Sequence, residues 1–137
     1  MRSAFIFSAF ILLFAACHGT YKVKRDLEIK QSLNRTCVED QIYSTLRDAY
    51  VRYEEVNNEK HWKFTWSQKE HVRLTGEIVQ HPKSNGSLLL EVDSHGVIAP
   101  TGTKEFEAEV AAQLDKTISA IKTMCHLKVT ETKKSPK

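Results

Sequence analysis

Three consecutive segments of alternating apolar and polar residues constrain the fold of this chain more than any other feature. Their apolar positions are Trp62, Phe64 and Trp66, then Val72, Leu74, Gly76 and Ile78, and finally Leu88, Leu90 and Val92. A period of two places the apolar side chains on one face of each strand. One apolar face and one largely polar face are typical of an antiparallel sheet that is covered on one side only.

Short connections between these segments favour the same interpretation. Only residues 67–70 separate the first two strands, and the second connection contains Asn85-Gly86. Asn-Gly is a strong hairpin signal, because both residues tolerate the positive φ that a tight turn requires. An earlier strand is predicted from the apolar positions Tyr21, Val23, Leu27 and Ile29. Its many Lys and Arg residues are typical of a strand at the edge of a sheet.

Two segments have helical periodicity. Thr36 and Glu39 fit a capping box, and the apolar face that follows consists of Val38, Ile42, Leu46, Ala49, Tyr53 and Val56. This pattern predicts one helix that ends at Asn57-Asn58. A second helix is predicted from near Thr103, with an apolar face formed by Phe106, Val110, Leu114, Ile118, Ile121 and Cys125.

The predicted elements form one small α+β domain. Their order is β-α-β-β-β-α, which favours a two-layer sandwich of a four-stranded antiparallel sheet with two helices on one face. We assign residues 17–129 to this single domain. Residues 130–137 are polar and rich in Lys, so they are predicted to be a disordered tail.

Residues 1–16 have the pattern of a signal peptide. Arg2 supplies a positive charge, and Ala4 to Ala16 is an apolar run broken only by Ser8. The run is shorter than the roughly 20 residues that a membrane-spanning helix needs. It has the length of the apolar region of a signal peptide, which predicts that the protein is exported.

The residues at the end of the leader resemble a known processing site. Phe14-Ala15-Ala16-Cys17 is similar to the lipobox of bacterial lipoprotein precursors, although that family prefers Leu where this chain has Phe14. The resemblance implies that the leader is cut before Cys17, and that Cys17 is diacylated on sulfur and acylated on its new amino group. His18 stands where Asp would favour retention in the inner membrane. The implied location is therefore the outer membrane, with the domain facing the periplasm.

Ordinary secretion is the alternative outcome for this leader. Cys17 and Gly19 could serve as the small residues of a cleavage site after Gly19, which would release a soluble protein. The sequons beginning at Asn34 and Asn85 would then be possible glycosylation sites in a eukaryotic host.

Both interpretations of the leader leave Cys37 and Cys125 as a pair. Exported compartments are oxidising, so two remaining cysteines predict one structural disulfide. Shared ligation of a metal is the weaker alternative, because neither cysteine lies in a CxxC motif.

Other function classes find little support in the sequence. The net charge of +3 is too small to indicate a nucleic-acid-binding surface. Four histidines are candidate metal ligands, but isolated surface histidine is the commoner explanation for His61, His71, His81 and His95. Asp93-Ser94-His95 contains triad residue types, yet neighbours in a turn cannot adopt triad geometry. We therefore predict no catalytic residues, no metal and no cofactor.

The function predicted from these features is that of a lipid-anchored binding or assembly-accessory module of the cell envelope. Its element order loosely resembles that of small accessory lipoproteins in outer-membrane assembly machines, including those that assemble lipopolysaccharide. The alternative is a soluble, disulfide-stabilised inhibitor or effector that binds another protein. An enzyme is the third possibility.

A partner, either a protein or another envelope component, is expected to contact the sheet face that the helices leave uncovered. Lys63 and Arg73 lie in the polar phase of their strands. Val79 and Leu89 interrupt that phase and are expected to be exposed apolar residues at the centre of a contact patch. The alternative is that the first strand or the tail covers them.

Overall fold

A computed structural model describes residues 19–69, 72–98 and 103–125 of the chain. The strands are β1 (Gly19–Ile29), β2 (Tyr50–Val56), β3 (Glu59–Lys69), β4 (Val72–Pro82) and β5 (Leu88–Ile98). The helices are α1 (Arg35–Thr45) and α2 (Thr103–Met124). The predicted signal peptide, Cys17, His71 and the predicted tail lie outside the described residues.

The fold is α+β, with two helices and an antiparallel sheet. The sheet has five strands in the order β1-β5-β4-β3-β2, and all four neighbouring pairs are antiparallel. β1 is an edge strand, as the sequence predicted. The prediction of four strands is wrong, because β2 forms the opposite edge where a continuation of the first helix was expected.

The first helix ends about ten residues earlier than the apolar spacing predicted. Leu46 at its C-terminus already has extended backbone, and Asp48 has a φ of +50°. Asn57 and Asn58 have φ values of +52° and +64°, so they form a tight hairpin turn between β2 and β3. The Asn pair therefore reverses the chain inside a sheet and does not end a helix.

The start of α1 also differs from the prediction. Asn34 is the N-cap, and its Oδ1 accepts a hydrogen bond from the Cys37 N–H at 3.0 Å. The predicted capping box of Thr36 and Glu39 is not formed. Glu39 instead accepts a hydrogen bond from the Arg35 guanidinium at 2.9 Å, one helical turn away.

One hydrophobic core lies between the sheet and the two helices. The largest fully buried side chains are Trp62, Phe64, Trp66, Ile29, Leu33, Ile42, Ile78, Leu90, Leu114 and Ile121. Both indole N–H groups have acceptors, since Trp66 Nε1 donates to Gln113 Oε1 at 2.9 Å and Trp62 Nε1 to the Arg35 carbonyl at 3.3 Å. The apolar stripe predicted for α2 faces this core. Neither described helix is long and apolar enough to cross a membrane.

The predicted disulfide between Cys37 and Cys125 is confirmed, with the two Cα atoms 5.9 Å apart. It joins the beginning of α1 to the residue that follows α2. Eight residues further along α1 and eight residues back along α2, Thr45 Oγ1 and Thr117 Oγ1 are hydrogen-bonded at 2.7 Å. The two helices are therefore antiparallel neighbours.

A buried glutamine holds the loop between β1 and α1 against the sheet. Gln80 is 4% exposed, and its Oε1 accepts a hydrogen bond from the Leu33 N–H at 2.8 Å. Its Nε2 donates to Ser32 Oγ at 3.2 Å. Lys60 Nζ donates to the Leu33 carbonyl at 2.9 Å. Both backbone polar groups of buried Leu33 are thus satisfied by side chains.

Candidate binding groove on the outer sheet face

The outer face, meaning the sheet face turned away from the helices, carries a charged row that crosses all five strands. The antiparallel register aligns one residue from each strand, and these are Arg52, Lys63, Glu77, Asp93 and Lys24. Two positive side chains on β2 and β3 therefore stand beside two negative side chains on β4 and β5. Lys24 on β1 adds a positive side chain at the other end of the row.

A groove with a volume of about 360 Å³ opens over this row. It extends from β2 to β5, and most of the surface exposed inside it is apolar although most of its lining residues are polar or charged. The lining residues are Tyr50, Arg52, Lys63, Phe64, Thr65, Thr75, Gly76, Glu77, Asp93 and His95. Four different strands thus contribute to one concave surface.

Arg52 and Lys63 form the positive wall of the groove, and an ion pair at the rim holds Lys63 in place. Lys63 Nζ lies 2.8 Å from Glu54 Oε1. This hydrogen bond and the attraction between the charges raise the pKa of Lys63 and lower the pKa of Glu54. Arg52 also lowers the pKa of Glu54, although more weakly. Lys63 therefore carries its positive charge across the whole neutral pH range.

The negative wall consists of two carboxylates that face each other across neighbouring strands. Glu77 Oε1 accepts a hydrogen bond from His61 Nδ1 at 2.8 Å. His95 Nδ1 lies 3.8 Å from Asp93 Oδ2, and Lys24 stands opposite Asp93 on β1. Partial burial raises the pKa of Asp93, and the charge of Glu77 raises it further. Asp93 is thus the less compensated carboxylate of the groove.

A cluster of two histidines and two glutamates lies beside the groove and consists of His61, His81, Glu59 and Glu91. Glu59 contacts both His81 Nδ1 and His61 Nε2, the latter at 3.4 Å. His81 Nε2 lies 3.5 Å from Glu91. The hydrogen bond from His81 lowers the pKa of Glu59. No group of three or more His, Cys, Asp or Glu side chains in the described ranges has an arrangement that could hold a metal ion.

Two of the four predicted contact residues have surroundings that the sequence did not indicate. Val79 lies on the outer face but is only 8% exposed, so the expected exposure is wrong. Its direct neighbours on β3 and β5 are His61 and Glu91, whose longer side chains cover it. Leu89 is half-buried, between Glu28 on β1 and His81 on β4.

The other two predicted residues have different roles. Lys63 lines the groove. Arg73 is exposed at the second residue of β4. Its guanidinium donates to Thr65 Oγ1 at 2.8 Å and to the Asp48 carbonyl at 3.0 Å. These bonds hold the turn between α1 and β2 against β3. Arg73 therefore supports one end of the groove from outside its lining.

Tyr50 and Arg52 are groove residues that the sequence analysis missed. Both belong to β2, which was predicted to be helical. The signal that could have identified them is Asn57-Asn58, because two residues that tolerate positive φ between segments rich in aromatic and β-branched residues indicate a hairpin.

A second depression lies on the same face at the free end of β1 and β5. Its volume is about 430 Å³, and its lining includes Thr20, Lys22, His95 and Val97. Asp93 and His95 border both depressions. By contrast, the opposite face of the sheet is packed with the fully buried aromatic and aliphatic side chains of the core.

Comparison with known proteins identifies a similar fold. No family model matches the chain, and no curated protein matches it. Among solved structures, the chain is similar to a START superfamily protein from Mycobacterium smegmatis, with a TM-score of 0.51 and 12% sequence identity. The similarity covers 79% of this chain and 98% of that chain. At this identity the likeness shows the fold alone, a helix-grip α+β arrangement.

Proposed function

We propose that this protein is an exported binding module, anchored to the outer membrane by lipid on Cys17, that receives a partner on its outer sheet face. The observation that carries the proposal is the row of opposite charges beneath the groove. The partner is a protein or another component of the cell envelope, and the module binds it without catalysing a reaction. START-like folds are typically binding domains, which agrees with this function.

The charge pattern indicates the kind of partner that the groove suits. Arg52 and Lys63 offer two positive groups to one part of a partner, and Glu77 and Asp93 offer two negative groups to another. A polar segment with acidic and basic groups side by side would satisfy both walls. Such complementarity contributes mainly to specificity and to the rate of association.

The packing of the sheet favours the outer face over the helix side. Core side chains fill the space between the sheet and the helices, and burial of these residues stabilises the domain. Access from the helix side would require separation of helices that are joined by the disulfide. Binding on the outer face requires no separation of the helices.

The position of β1 supports cleavage before Cys17. Gly19 is the first residue of β1 and pairs with Ile98. Cleavage before Cys17 would keep every described residue of β1. Cleavage after Gly19, which the secretion alternative requires, would remove a residue of the sheet.

The lipid anchor can be tested by metabolic labelling with an alkyne fatty acid. Wild-type protein should be labelled and should sediment with membranes, whereas Cys17→Ser should remove the label. Unlabelled soluble protein that begins at Thr20 would contradict the anchor and support the secreted inhibitor or effector instead.

The groove can be tested with a photo-crosslinking amino acid placed at Tyr50, in the intact cell. Exposed Lys116 on α2 provides the control position. A partner on the outer face should give an adduct of defined mass from position 50 and none from position 116. Arg52→Glu should weaken the adduct at position 50 without changing thermal stability. Equal adducts from both positions would contradict the proposed face.

A further inference from the structure

We propose that the end of the sheet where β1 begins rests on the phospholipid surface, so that the strands stand upright on the membrane. The inference rests on the proposed lipidation of Cys17. It adds an orientation, since a lipid anchor alone would permit a domain to hang from its tether in any direction.

The chain between the proposed anchor and the sheet is very short. Only His18 lies between Cys17 and Gly19. Consecutive Cα atoms are about 3.8 Å apart, so the Cα of Gly19 can lie at most roughly 8 Å from that of Cys17. Gly19 is itself fixed in the sheet by its pairing with Ile98. The anchor is therefore attached to a rigid element through almost no linker.

Exposed apolar side chains lie at this end of the sheet. Val97 is 64% exposed and lies directly opposite Thr20, the second residue of β1. Val72, the first residue of β4, is 36% exposed. The register that pairs Gly76 with Ser94 places Val72 level with Ile98. Apolar side chains beside a lipid anchor would gain stabilisation from contact with the bilayer.

Exposed charges of both signs also lie at this end. Arg47 lies 3.7 Å from Asp48, and Lys69 lies 3.8 Å from Glu109. Each pair holds one positive and one negative side chain, so neither pair gives this end a net charge. The occupant is the phospholipid surface itself, contacted through the apolar side chains beside the anchor.

The orientation determines where the groove opens. Strands rise about 3.3 Å per residue, so His95 and Asp93 lie roughly 10 and 17 Å from the membrane-facing end of β5. The groove would therefore open sideways, just above the headgroups. A partner would approach along the membrane surface.

The test uses the full chain, processed in a bacterial host and reconstituted in vesicles of phosphatidylethanolamine and phosphatidylglycerol. A photo-crosslinking amino acid is placed at Val97, and the matched control is Val56, which is 46% exposed at the opposite end of the sheet. Position 97 should give an adduct with the mass of a phospholipid, at least tenfold more abundant than any adduct at position 56. Equal adducts, or an adduct at position 56 alone, in protein that stays on the vesicles would overturn the orientation.

A spacer variant separates this inference from the anchor. A flexible Gly/Ser segment of about ten residues, inserted between His18 and Gly19, should leave fatty-acid labelling intact and reduce the adduct at position 97. An unchanged adduct would show that the short tether does not set the orientation. Absence of the fatty-acid label in the parent chain would instead reject the anchor itself.

Discussion

Glu77 on β4 and Asp93 on β5 lie directly opposite each other, and both carboxylates line the groove. Like charges in directly opposed positions destabilise a sheet. Glu77 is hydrogen-bonded to His61 Nδ1 at 2.8 Å, whereas His95 Nδ1 lies 3.8 Å from Asp93. The domain thus retains an unfavourable pair in its groove, as expected where charges serve binding more than folding.

Asp93→Asn should stabilise the protein at neutral pH by roughly 0.2 to 1 kcal/mol, because it removes one of two opposed negative charges. Burial raises the pKa of Asp93 in the folded state above the ordinary value of 3.8. The stability of the wild type is therefore greatest, with respect to this group, below the unfolded-state pKa and is lost as the pH rises through the folded-state pKa.

Urea unfolding as a function of pH measures this effect. The advantage of Asp93→Asn should shrink as the pH falls through the folded-state pKa and should vanish below about pH 3.8. Asp40→Asn, which removes an exposed carboxyl from α1, is the matched control for the loss of one negative charge. A variant less stable than the wild type at neutral pH would contradict the argument.

Cys125→Ala should lower the free energy of unfolding by about 2 to 5 kcal/mol, because the disulfide closes a long loop in a small domain. Denaturant unfolding of the oxidised wild type and of the variant gives the difference. Non-reducing peptide mapping should recover residues 37 and 125 in one linked peptide pair. Free thiols at both positions in the exported protein would be inconsistent with the structure.

Gln80→Met should cost roughly 1 to 3 kcal/mol, since the buried Leu33 N–H would lose its acceptor. Methionine has a similar size, so the loss would come from the hydrogen bond and not from a cavity. Gln31→Met, at an exposed position of the same loop, should have little effect. Equal stability of the Gln80 variant and the wild type would mean that the loop does not depend on this bond.

Asn58→Val should destabilise the domain by roughly 1 to 3 kcal/mol, because a β-branched residue is strained at positive φ. Asn58→Gly should be neutral or slightly stabilising, since glycine adopts this conformation freely. Thermal unfolding of the two variants gives the comparison. The opposite ranking would argue for the helix that the sequence predicted through residue 56.

Elements whose periodicity has a single interpretation could be predicted from the residues alone. Trp62, Phe64 and Trp66 alternate so clearly that only a half-buried strand fits, and the long stripe of α2 has no strand alternative. The disulfide could also be predicted by counting, because both interpretations of the leader leave Cys37 and Cys125 as a pair. Local spacing suffices in these cases, since each pattern arises within a single element.

The conformation of residues 46–56, and with it the groove, depends on contacts between distant segments of the chain. Leu46, Ala49 and Tyr53 have helical spacing, but residues 50–56 form seven pairs with β3, a partner that local periodicity cannot detect. The burial of Val79 likewise depends on His61 and Glu91, which lie on other strands. The groove joins residues from Tyr50 to His95 through the register of four strands, so its charge pattern exists only once the sheet has formed.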